Sequence, residues 1–226
     1  GSGMGCPDWP KCFGYWVPPT ERAQLDWKPG HQYTKGQVII LKEELRVANG
    51  DFESSKTFND RNWGFYTQHD YALFDAYETW IEYLNRLLGA LAGLAVLIMT
   101  ILSFWKWKKN ISHTFVSILI LLGMGFQAWL GKTVVDSNLA PYRVSLHMGM
   151  ALLIVLGLVF LLFSNQKKPI SIPGNIAVKI SAWFAVLLTL FQIGLGTQVR
   201  QFVDLQMHKA PDHWLNPAPI KFYVHR

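Results

Sequence analysis

Residues 87–104 read LLGALAGLAVLIMTILSF, without one charged side chain. A helix crossing a bilayer needs about 20 mostly apolar residues. The uncharged stretch that contains these residues, 87–105, is 19 long. Three more follow: 110–131 (22 residues), 144–166 (23) and 180–199 (20). Helices of a soluble bundle carry a polar face, and these have almost none. The reading is all-α: a polytopic membrane helix bundle with four complete spans.

Composition points the same way. Of 226 residues, 50% are hydrophobic and 16% charged, against about 25% charged in soluble domains. Residues 1–79 hold 8 Lys/Arg and 11 Asp/Glu, whereas residues 80–226 hold 13 and 4. A disordered chain, a disulfide-dense mini-protein and an ordinary soluble enzyme are excluded. A pI near 9.3 suits a nucleic-acid binder, but the excess positive charge sits at loops and helix ends, where membrane topology explains it. A lipid bilayer is therefore expected as a partner, and nucleic acid is not.

Lys106, Lys108 and Lys109 cluster between the first two spans, and Lys167 and Lys168 lie between the third and fourth, with Lys179 opening the fourth. The opposite side carries Lys132, Arg143, Arg200, Lys209 and Lys221, so the count is 6 against 5. The tight clusters favour placing the 105–113 and 164–179 loops in the cytoplasm. Residues 1–79 then form an outer, periplasmic segment of a multi-pass inner-membrane protein. Two cysteines, Cys6 and Cys12, fall in that segment, where disulfides persist. Five residues with two prolines separate them. They can close a small loop or stand as two free thiols. A zinc site needs four ligands, and nothing beside this pair supplies the rest.

Ionisable groups in or near a membrane mark function by default. Glu82, Asn85 and Arg86 fall at i, i+3 and i+4, on one helix face at the outer mouth of the first span. They serve either chemistry or an ordinary helix-end ion pair. His147 lies just inside the outer end of the third span, and an imidazole there needs a hydrogen bond, a metal or a haem iron. His225, followed by Arg226, would sit at similar depth in a further helix; histidine can ligate haem iron and arginine can pair with a propionate. His31, His69, His208 and His213 read as solvated outer-loop histidines, and His113 borders an inner loop. His69 stands in an aromatic stretch from Trp63 to Trp80 that reads as an interfacial belt.

The chain also echoes itself. Phe126-Gln127-Ala-Trp-Leu130-Gly131-Lys-Thr-Val134 matches Phe191-Gln192-Ile-Gly-Leu195-Gly196-Thr-Gln-Val199 at five of nine positions. Glu82-Tyr-Leu-Asn-Arg86 pairs with Phe222-Tyr-Val-His-Arg226, Tyr and Arg coinciding. Related helical units are implied. Walker, dinucleotide, Gly-x-Ser-x-Gly and zinc-protease motifs are absent from the sequence.

These residues resemble the heme A synthase family. Gly1-Ser-Gly-Met-Gly-Cys-Pro-Asp-Trp-Pro-Lys-Cys12 is similar to the segment after the family's first helix. Glu82-Tyr-Leu-Asn-Arg86 resembles its Glu-x-x-His-Arg motif, Leu139-Ala-Pro-Tyr-Arg-Val-Ser-Leu-His147 the start of its fourth helix, and Phe222-Tyr-Val-His-Arg226 the His-Arg of its sixth. The resemblance implies an eight-helix protein of two four-helix halves, with this chain running from after helix 1 to the start of helix 6. Residues 80–166 would be helices 2–4 of the half holding the substrate haem. Residues 167–226 would open the half holding a heme B cofactor.

The implied activity is oxidation of the C8 methyl of heme O to the formyl of heme A, for biogenesis of haem-copper terminal oxidases. Heme O synthase and the oxidase assembly would be partners, and a homo-oligomer is possible. Glu82 would be catalytic, and His147 and His225 would ligate haem iron. Arg86, Arg226 and position 85 would contact haem, with Arg143 a further propionate partner, and Cys6 and Cys12 would form a disulfide. Asn85 departs from the family's histidine, leaving His147 as the one helix-borne ligand in its half, unless His69 supplies a second. The alternatives are a non-catalytic membrane haem b cytochrome or haem carrier, a thiol-oxidising membrane protein, and a structural subunit.

Overall fold

A computed structural model of the chain describes residues 5–67, 74–105, 107, 110–137, 139–164, 176–209 and 220. His69, His213, His225, Arg226, the Gly1-Ser2-Gly3 start, Asn138 and the 165–175 loop lie outside the described residues, as does the side chain of His208. Among the described residues, five short strands precede four long helices. The strands are β1 (Gln32–Tyr33), β2 (Val38–Leu41), β3 (Glu44–Ala48), β4 (Phe52–Glu53) and β5 (Trp63–Phe65). The helices are α1 (Ala76–Phe104), α2 (Ile111–Asp136), α3 (Pro141–Ser164) and α4 (Ile176–Lys209). All four are long and apolar enough to cross a membrane, so the helical bundle expected from the uncharged stretches is present. Every helix runs past its uncharged stretch at one end or both.

The chain divides into two compact units: residues 1–95 with 132–139, and residues 96–131 with 140–226. In the first unit, β2 pairs antiparallel with β3, and β3 with β5; β1 and β4 form a separate two-stranded sheet. Lys42 and Glu43, at φ 52 and 60, make the two-residue turn whose twist suits a hairpin. Successive side chains of a strand point to opposite faces, and β2 buries both. Val38 and Ile40 join a core with Cys6, Cys12, Phe13, Leu25 and Leu45. Ile39 faces the other way, into a cluster with Tyr33, Ala48 and Trp63. Trp63 anchors that cluster, its ring centroid 4.9 Å from Tyr33 and 5.4 Å from Phe52. These sheets were not legible in the sequence.

α1 opens on Asp75, whose Oδ1 accepts from the amides of Tyr77 (2.8 Å) and Glu78 (3.2 Å) and caps the helix. In the second unit, Val96, Ile120, Ile154 and Leu161 form the core. The hydroxyls buried beside it close onto backbone. Thr100 Oγ1 donates to the carbonyl of Val96 at 2.8 Å and lies 3.2 Å from that of Ser117. Thr114 Oγ1 donates to Ser103 O at 3.1 Å. Hydroxyls between helices in hydrocarbon need such partners. The outward faces are apolar, as a lipid-facing surface requires: Leu156 and Phe184 are 63% and 62% exposed.

Candidate functional site

In the first unit, the site begins at the disulfide between Cys6 and Cys12. Both half-cystines are fully buried, and the pair expected from the resemblance is formed. The loop they close docks on the N-terminal end of α1. Glu82 Oε2 accepts from the amides of Gly5 (2.8 Å) and Cys6 (3.1 Å). Glu82 Oε1 accepts from Arg86 Nη2 at 2.5 Å. Arg86 Nη1 donates to the carbonyls of Asp8 (2.7 Å) and Lys11 (3.0 Å). Thr79 Oγ1, fully buried, donates to Gly5 O at 2.8 Å.

The i, i+4 spacing of Glu82 and Arg86 thus places them on one face, as read, and that face grips the loop from both ends. A Cβ on Gly5 would lie 2.5 Å from the carbonyl of Glu78, so the close approach requires glycine. Asn85, between the two, is exposed.

Asp8 secures the far side of the loop. Its Oδ1 accepts from Phe13 N at 2.5 Å and its Oδ2 from Gly14 N at 2.8 Å. Burial nevertheless pushes its carboxyl above the ordinary value, against the opposing pull of those amides and of Arg86. Tyr66 donates to Pro7 O at 2.7 Å. Burial first, and then the charge of Asp8, push its phenol well upward, so the hydroxyl keeps its proton and stays a donor.

In the second unit, His147 is half-buried on α3 and Gln127 of α2 reaches it. Gln127 Nε2 lies 3.3 Å from His147 Nε2 and donates to the carbonyl of His147 at 3.1 Å. A Cβ on Gly131, one turn on from Gln127, would stand 3.4 Å from His147 Cε1. Two residues before the histidine, Ser145 Oγ lies 3.0 Å from Thr197 Oγ1 of α4, and that hydroxyl donates to Gly194 O at 3.1 Å. His147 Nδ1 and Gln127 Oε1 are buried and have no partner among the described residues.

The imidazole is therefore held on one side and unsatisfied on the other, a donor set that suits a group supplied from outside the chain. Gln127 and Gly131 were visible in the sequence as members of the echo, without a role. Arg143, at the start of α3, donates from Nε to the Tyr142 hydroxyl at 2.8 Å. Among the described residues, no three of His, Cys, Asp or Glu converge on a metal, so His147 offers a single imidazole.

Four membrane-spanning helices, a disulfide-bonded segment and a half-buried histidine within a span define a multi-pass membrane protein with a candidate prosthetic-group site. The family model described as cytochrome oxidase assembly protein, COX15-CtaA, matches residues 51–219. The chain belongs to that family. It is 29% identical to a heme A synthase of Bradyrhizobium sp. over 218 residues, 89% of this chain and 56% of the relative. It is 33% identical to one of Methylobacterium radiotolerans over 124 residues, 51% and 33% of the two chains. A third, from Wolbachia pipientis, is 27% identical over 186 residues, 77% and 52%. The chain spans about half the length of the longest-matching relatives. No solved structure matches it.

Proposed function

We propose that the protein of which this chain is a part is a heme A synthase: it oxidises the C8 methyl of heme O to the formyl of heme A, supplying haem-copper terminal oxidases. The observation that carries this is His147. Its imidazole lies within a span, held by Gln127 and with one buried ring nitrogen unpartnered among the described residues, in a chain whose relatives are named heme A synthase.

The residues present fit a haem. His147 would hold the iron of the substrate haem, and apolar helix walls would bury its ring. When bound, the iron supplies the redox chemistry, and the protein supplies position and electrostatics. Arg86, which donates to Glu82, Asp8 and Lys11, and Arg143 would pair with propionates. Glu82 would accept a proton or stabilise developing positive charge at the reacting methyl. His225 and Arg226 would serve a heme B cofactor in the second half. Residues 1–79 would lie on the periplasmic side of the inner membrane, ahead of the substrate half at 80–166 and the cofactor half from 167. Heme O synthase and the oxidase assembly would be the partners.

A membrane haem b cytochrome or haem carrier is the second reading. Asn85, exposed where the family has histidine, and a Glu82 carboxylate taken up by loop amides and Arg86 favour it. The two part in cells making heme O. Haem extraction from cells expressing the intact protein with a heme O synthase should yield heme A, lost on Glu82→Ala. Heme O persisting beside unmodified protein-bound heme B would select the carrier.

A further inference from the structure

The aromatic stretch from Trp63 to Trp80 reads in sequence as a membrane-interface belt, but the fold spends part of it on packing. Trp63 is buried with Tyr33, Ile39 and Ala48, and Phe74 packs against the disulfide core. Two adjacent large apolar side chains stand outside instead: Trp16 and Val17 are 67% and 63% exposed.

The backbone presents this pair as a rigid tip. On one side, Cys12 and Tyr15 exchange backbone hydrogen bonds of 2.9 and 3.0 Å across Phe13 and Gly14, both at positive φ. On the other, Pro18 and Pro19 are buried. Each has its own φ fixed by its ring, and Pro18 also restricts Val17 before it. A tip already ordered pays little further entropy when its side chains are immobilised.

Two hydrogen bonds set the level of the tip along α1. Before it, the carbonyl of Lys11 accepts from Arg86 Nη1 at 3.0 Å. After it, the carbonyl of Pro19 accepts from Trp80 Nε1 at 3.3 Å. The tip is therefore tethered to the part of α1 between Trp80 and Arg86, about 9 Å of helix. Leu87 follows directly and opens the uncharged stretch, and Leu88 and Leu91 are 63% and 54% exposed, as lipid contact requires. The headgroup zone beside the hydrocarbon is of the same depth, about 5–8 Å on each side.

The chemistry suits that zone. Tryptophan and tyrosine gather there, and Trp80 and Tyr83 stand edge to face at 5.6 Å on the same turns of α1. Lys11 Nζ lies 5.6 Å from the centre of the Trp16 ring, and a lysine at a membrane boundary sends its ammonium to the headgroups. Two side chains offer far less area than the about 800 Å² per partner of a standard protein interface.

We propose that Trp16 and Val17 are a membrane anchor: they seat the disulfide-bonded segment in the lipid headgroup layer at the N-terminal end of α1.

The test uses the intact protein in phosphatidylcholine nanodiscs. A nitroxide is attached at Val17→Cys, with Cys6 and Cys12 held in their disulfide and any thiol elsewhere removed. Its collisions with oxygen, which concentrates in lipid, are compared with those with a water-soluble nickel chelate. Leu88→Cys supplies the lipid reference and Lys35→Cys, on an exposed turn, the water reference. We expect the oxygen-to-nickel ratio at position 17 to stand several-fold above that at position 35 and to approach that at position 88. Trp16→Asp puts a charge in the zone and should bring the ratio at position 17 down to the water reference. Trp16→Phe should keep it high. The exposure of Trp16 leaves the core untouched by either change.

A ratio at position 17 equal to that at position 35 overturns the proposal. Few collisions with either reagent would mean that protein, a second copy or another partner, covers the tip, and would overturn it too. A lipid-like ratio that survives Trp16→Asp would show that the tethers alone place the tip, and Trp16 would not be an anchor.

Discussion

Glu82 Oε2 sits 2.8 Å from the amide of Gly5, 77 residues away in sequence, and accepts its hydrogen. The same oxygen takes the amide of Cys6, and the other binds Arg86, which holds Asp8 O and Lys11 O. A membrane-helix carboxylate is thus the clasp of a disulfide loop. Any role of Glu82 in chemistry has to be separated from this one.

The separation is measurable. Hydrogen bonds to a charged group contribute about 1.5–3 kcal/mol when partly shielded. Glu82→Ala should therefore destabilise the disulfide loop by about 2 kcal/mol and speed amide exchange at Gly5 and Cys6. Glu82→Gln keeps an acceptor and should retain most of that protection. A carboxylate needed only as a clasp would leave Glu82→Gln active. One needed at the reacting methyl would leave it folded and inactive.

Gly5→Ala tests the docking from the other side. Its Cβ would meet the backbone of Glu78 at 2.5 Å, and backbone does not yield as a side chain does. The loop should lift from α1, exposing Thr79 and freeing Glu82. Overpacking of this kind costs about 1–3 kcal/mol. Faster reduction of the Cys6–Cys12 disulfide by a mild thiol is the expected signature, and an unchanged reduction rate would refute it.

Asp8 gives the first unit a pH dependence of defined sign. Its folded pKa is raised above the ordinary 3.8, with burial the first cause. A raised carboxyl pKa stabilises the fold below the unfolded value, and that contribution is lost as pH rises through the folded pKa. Asp8→Asn should therefore flatten the stability of the first unit just above the ordinary carboxylate range. Denaturant unfolding at a series of pH values, followed by Trp63 fluorescence, reads it. An unaltered slope would contradict the burial argument.

Trp63 is the anchor of the aromatic cluster, stacked on Phe58 at 6.0 Å and edge-on to Tyr33 and Phe52. Removing a buried aromatic ring costs about 3–5 kcal/mol. Trp63→Ala should unfold the sheets between Gln32 and Phe65 while the helices keep their far-ultraviolet signal. Unchanged thermal unfolding of the first unit would show that the sheets do not depend on this ring.

The helices were legible because lipid demands one plain property, length without charge. Their ends were less so. α1 begins at Ala76, eleven residues before the uncharged stretch, because Glu82 and Arg86 face the disulfide loop and cost the helix nothing. The sheets escaped the sequence because their strands are two to five residues long. Val38–Leu41 buries both faces and so shows no alternation. Glu82, Arg86 and His147 were legible as polar groups in an apolar context. Their partners were not, since a loop amide and a glutamine one helix away leave no local signal. Gln127 surfaced only as part of the echo with Gln192.

The central claim is that this protein makes heme A using His147. Purified intact protein in lipid, supplied with heme O and an electron acceptor, should be compared with His147→Ala, and the extracted haem resolved by chromatography with pyridine haemochrome spectra. The account predicts heme A from the unmodified protein and only heme O from His147→Ala. Equal heme A from both, or none from either, would contradict it.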